Sequence, residues 1–144
     1  MTRSFALAFA AFVLASQGSS LSAVQYATAR PVVLSIGRVH AKQYQTIVIT
    51  GRNFGFAQPY DGDSSFFWMV DIQGNGTGWW RAGCPQQYGP CGTTLKVSSW
   101  NESQIVVTGL TGDGLYPVAG DLVNFFIWNP QSGTGPAAAS AMVR

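Results

Sequence analysis

The stretch that decides the fold is Thr46–Gly55, T-I-V-I-T-G-R-N-F-G. Its first half alternates: Ile47 and Ile49 share one face of an extended chain, Val48 and Thr50 the other. β-Branched side chains suit a pleated surface, so this half predicts a strand. The second half breaks the pattern. Gly51, Asn53 and Gly55 tolerate a positive φ, so the strand is expected to end in a turn there.

Similar runs recur on both sides. Pro31–Val39 reads as a strand with its proline at the start, where a missing N–H does no harm. Ser65–Ile72, apolar on both phases over part of its length, predicts a well-buried strand. Asn75-Gly76 then signals a hairpin turn. Trp79–Ala82 is a short candidate, and Leu95–Trp100 and Gln104–Leu110 form a hairpin through Asn101-Glu102-Ser103. Leu122–Asn129 is the most β-prone run, and Ala137–Val143 closes the series. Arg52–Ser65 reads as a connection with aromatic residues embedded in it. With 17 glycines, 7 prolines and only 10% charged residues, the chain lacks the polar surface that long amphipathic helices need. Seven or eight short strands at this spacing predict an all-β fold, a β-sandwich.

Three of these segments carry a resemblance. Ile49-Thr50-Gly51-Arg52-Asn53-Phe54-Gly55, Trp100–Val107, and Gly120-Asp121 leading to Trp128-Asn129-Pro130-Gln131-Ser132-Gly133 together resemble the IPT/TIG family of immunoglobulin-like domains. The resemblance implies an immunoglobulin-like β-sandwich over residues 31–144. It names no active site, because the family includes structural, ligand-binding and DNA-binding modules. The chain is longer than such domains usually are, and the surplus lies in Phe56–Cys91.

The N-terminus reads as a secretory signal. Arg3 supplies the positive region and Phe5–Ala15 an apolar run too short to span a bilayer. Residues 1–23 are expected to be removed and 24–30 to form a flexible leader, leaving a secreted protein with no membrane span. Its basic residues (Arg30, Arg38, Lys42, Arg52, Arg81, Lys96 and Arg144) are scattered, so no concentrated face for nucleic acid is expected.

Cys84 and Cys91 enclose a Pro/Gly loop, C-P-Q-Q-Y-G-P-C, and in an exported chain they predict a disulfide. His40 is the only histidine, which excludes a histidine cluster for zinc. With no G-x-S-x-G motif beside it, His40 also makes a poor triad member. The acids Asp61, Asp63, Asp71, Glu102, Asp113 and Asp121 sit mostly in turn contexts, and a paired-carboxylate glycosidase ranks third among the readings. Tyr60–Ser65 is an oxygen-rich loop that could interest calcium, although no cofactor or metal is expected. Asn75-Gly76-Thr77 and Asn101-Glu102-Ser103 match the glycosylation acceptor pattern.

The sharper expectation concerns aromatic residues. Trp79 and Trp80 are adjacent, so on a strand only one can enter the core. The other, beside Arg81, Tyr88, Gln86, Gln87 and Asn75, would offer an apolar face and hydrogen-bond donors to a sugar ring. Trp79, Trp80, Arg81 and Tyr88 are therefore the candidate ligand-binding residues, with Tyr60 and Trp68 as further aromatic candidates. The expected function is non-catalytic binding of an extracellular or cell-surface ligand such as a glycan. The alternative is a structural or protein–protein module.

Overall fold

The computed structural model describes residues 29–73, 78–85 and 91–144. The expected signal segment, the leader up to residue 28, the Asn75-Gly76 turn with its acceptor pattern, and Gln86, Gln87 and Tyr88 lie outside them. Among the described residues all extended regular structure is strand, in nine pieces rather than seven or eight. They are β1 (Val32–Ile36), β2 (Ile47–Arg52), β3 (Tyr60–Gly62), β4 (Phe67–Asp71), β5 (Trp80–Ala82), β6 (Thr93–Asn101), β7 (Gln104–Gly112), β8 (Leu122–Ile127) and β9 (Ala137–Met142). No helix among the described residues is long and apolar enough to cross a membrane.

The strand order is β1-β2-β7-β6-β5-β4-β8-β9, with β3 added on β6. Two antiparallel groups make up this path. One holds β1, β2, β7, β6 and β3; the other holds β5, β4, β8 and β9. A single parallel register, Ala82 to Thr93, joins them, supported by the Gly83 N–H donating to the Thr93 carbonyl at 3.2 Å. The opposite ends of the path also meet. Val39 forms a parallel bridge with Val143, and Arg144 N–H donates to the Val39 carbonyl at 2.9 Å. The sheet is thus nearly closed on itself, which leaves few free edges for unwanted pairing.

Alternation sends one face of every long strand inward. Ile47 and Ile49 from β2, Leu95 and Val97 from β6, Ile105 and Val107 from β7, and Val123, Phe125 and Ile127 from β8 are all buried. Phe67 of β4 lies at the centre, edge-on to Trp100 at 5.8 Å and stacked near Phe125 at 6.3 Å. Each such side chain contributes about 1.5–3 kcal/mol by leaving water. The inward phase of β4 is Phe67, Met69 and Asp71, while Trp68 and Val70 are only half-buried. This differs from the doubly buried strand that its apolar sequence suggests. The outward residues are covered partly by one another.

The three resembling segments converge. Asn53 takes φ 61° and Gly55 φ 72°, turning the chain after β2. At Gly51 a Cβ would collide with the Val32 carbonyl and the Phe54 ring, so only glycine fits. Trp100 Nε1–H donates to the Phe54 carbonyl at 2.9 Å, and Glu102 accepts from Gly55 N–H at 2.8 Å. Asn129, buried, donates to the Asn53 carbonyl at 3.1 Å while its Oδ1 accepts from the backbone N–H groups of Gln131 and Ser132. Gln131 completes the join by bonding both backbone groups of Phe56 at 2.7 Å. Residues 29 and 30 are held here too: their carbonyls accept from Thr134 Oγ1 and Asn53 Nδ2.

Candidate functional site

The outward phases of β4, β5 and β8 build one surface. Trp68 stands directly across from Phe126 in the β4–β8 register, and Val70 across from Arg81 in the β4–β5 register. Neighbouring side chains on one face of a sheet touch at this spacing. Trp68 and Phe126 lie 5.2 Å apart, and Trp128, just past the end of β8, stacks on Trp68 at 6.1 Å. On the other side of Trp68 is Arg81. Its guanidinium carbon sits 5.6 Å from the Trp68 ring and 4.5 Å from the Trp79 ring. Guanidinium over an indole face is an electrostatic attraction worth about 0.5–1 kcal/mol at an exposed site. The row Trp128, Trp68, Arg81, Trp79 thus crosses three elements with each member held by the next.

Along this row runs a shallow groove of about 430 Å³, lined by Trp68, Val70, Ile72, Trp79, Arg81 and Phe126. Trp79 is 61% exposed, whereas Trp80 is 9% exposed and belongs to the core. The adjacent indoles divide as a pleated chain requires. Trp79 and Arg81 meet at the groove. Trp80 lines a second groove, of about 330 Å³, that shares Trp79 and Arg81 with the first. Tyr88 lies outside the described residues. Tyr60 is elsewhere, on β3 across from Val97, half-buried against the core. Burial pushes its phenol well above the usual tyrosine range, Ser64 pulls it part of the way back, and the Asp63 charge adds a smaller push upward.

Cys84 and Cys91 are joined in a disulfide, with Cα atoms 5.4 Å apart, at the edge of the second groove. Among the described acids, Asp71 accepts from Gln73 N–H, Glu102 from Gly55 N–H and Asp121 from Val118 N–H. Asp61, in the loop considered for calcium, accepts from the hydroxyls of Thr94 and Thr111. Among the described residues no three His, Cys, Asp or Glu side chains gather as a metal centre would need. Asn101 Oδ1 accepts from Ser103 N–H, Ser103 Oγ and Gln104 N–H, holding the β6–β7 turn.

The sequence reading did not put Phe126 and Trp128 in the site. Their signal is the alternation in Val123–Trp128, where polar Asn124 marks the phase that faces out. Nothing local connects that phase to Trp79; only the registers β8–β4–β5 do. Compared with family models, curated proteins and solved structures, the chain matches none.

Proposed function

We propose that this protein is a secreted, non-catalytic immunoglobulin-like β-sandwich of the IPT/TIG kind that binds an extracellular or cell-surface glycan. In this reading the two antiparallel strand groups are the two layers, and the turns that resemble the family knit one end. The Cys84–Cys91 disulfide is compatible with an extracellular location. The observation that carries the binding reading is the half-open aromatic row. An indole 61% exposed and propped by a guanidinium presents a flat, preorganised apolar face. Sugar rings stack on such faces through their C–H groups while their hydroxyls stay wet.

Ile72 and Leu115 are exposed apolar side chains in the walls of these grooves, which favours a protein-contact module as the second reading. Retention of the purified chain on insoluble polysaccharides separates the two. Glycan binding predicts retention that Trp79→Ala abolishes without moving the melting temperature, while Trp80→Ala lowers the melting temperature. No retention on any polymer, with self-association or a co-purifying protein, would replace the glycan reading with the protein-contact one.

A further inference from the structure

Trp79 and Arg81 are shared by two grooves. One is the aromatic groove of Trp68, Val70 and Phe126. The other is more polar, and its wall includes Gly92, Asp113 and Leu115. Asp113 is exposed, and the chain puts it there by a specific closure: Asp113 N–H donates to the Gly92 carbonyl at 2.8 Å. The carboxylate then lies over Gly92, in space that a Cβ at that position would take.

We infer that the ligand is a linear, uncharged oligosaccharide of at least two rings that crosses Trp79, with one ring on the aromatic groove and a neighbouring ring's hydroxyls donating to Asp113. This rests on the glycan-binding reading above and extends it. A carboxylate only accepts hydrogen bonds when ionised, so it suits a pair of sugar hydroxyls and repels a sugar acid. Arg81 and Asp113 are the charged side chains among the described residues lining that groove, so it carries one charge of each sign and no net charge to draw in an anionic ring. Two grooves sharing one ring platform also imply that affinity grows with ligand length, because each bound ring adds contacts without a new cost of association.

The test is calorimetry of the full, disulfide-bonded chain with glucose and N-acetylglucosamine oligomers of increasing length and with oligogalacturonates as the acidic counterpart. Affinity for a neutral oligomer is expected to rise about tenfold or more between a single ring and the longer chains, with the acidic series weaker. Asp113→Ala is expected to erase most of that gain and to narrow the preference for neutral over acidic oligomers. Gly92→Ala, which pushes the carboxylate aside, is expected to do the same. Melting temperatures identify any variant that fails to fold. Glycan affinity that depends on Trp79 but not on length or Asp113, or that favours the acidic series, overturns this inference and leaves the broader reading standing. Absence of binding to any glycan overturns both.

Discussion

Where residues 51–56, 100–104 and 129–134 meet, polar side chains bond to backbone groups and Trp100 turns its indole N–H inward to the Phe54 carbonyl. On the outer face of β4, β5 and β8 the aromatic side chains instead stack on one another, and Trp79 stands mostly in the open. Both regions are rich in aromatics. In the first, the polar side chains are bonded inside the chain and only Phe56 leaves a large ring half-exposed, so its chemistry is spent on holding the fold. In the second, apolar faces are left over. The contrast teaches that an aromatic residue is informative about function only when the register leaves part of its ring uncovered.

Substitutions can break or sharpen this contrast. Trp100→Ala carries the largest expected effect, a loss of about 4 kcal/mol in chemical unfolding, because it empties core volume and strands the Phe54 carbonyl. Asn129→Ala is expected to cost about 2 kcal/mol, since the Asn53 carbonyl and two backbone N–H groups lose their partner at a buried site. Thr93→Val acts in the other direction. The Thr93 hydroxyl is buried with no hydrogen-bond partner, so replacing it by a methyl group on a strand is expected to add about 1 kcal/mol.

Trp79→Ala is expected to change stability by less than about 1 kcal/mol, the scale of an exposed cation–π contact, while polysaccharide retention is lost. An unfolding curve that moved with Trp79 as much as with Trp100 would erase the distinction between the regions. Tyr60→Phe is expected to leave stability at neutral pH almost unchanged. The fold favours the neutral phenol, so its pKa is raised and its contribution is intact below about pH 10, where the unfolded chain begins to ionise. Above that pH the wild type loses stability, and the phenylalanine variant should lose less in melts taken across the alkaline range.

Much of this was legible in the sequence. All eight runs read as strands are strands, because alternation and bounding turn residues are local signals. β3 was missed because Tyr60-Asp61-Gly62 contains residues that strands usually avoid, and only the free edge of β6 makes it extended. The first strand stops at Ile36 rather than Val39, since Val39 leaves β2 to meet Val143 at the far end of the path. At the site, Trp79 beside Arg81 could be read from adjacency alone. Phe126 and Trp128 required the β4–β8 register, and Asp113 required the closure onto Gly92. Those are long-range pairings, and a window of neighbouring residues does not contain them.

The joint between β5 and β6 has a consequence for how such a protein can change. The inward phase of β6 is set by its long pairing with β7, from Thr93 opposite Gly112 to Asn101 opposite Gln104, and β5 touches it at one register only. Insertions or deletions between Cys84 and Cys91 therefore do not propagate into the alternation of either neighbour. The groove that Cys84 and Cys91 line can thus be altered over generations, changing what is recognised, while the interior that keeps the chain folded inherits nothing of the change.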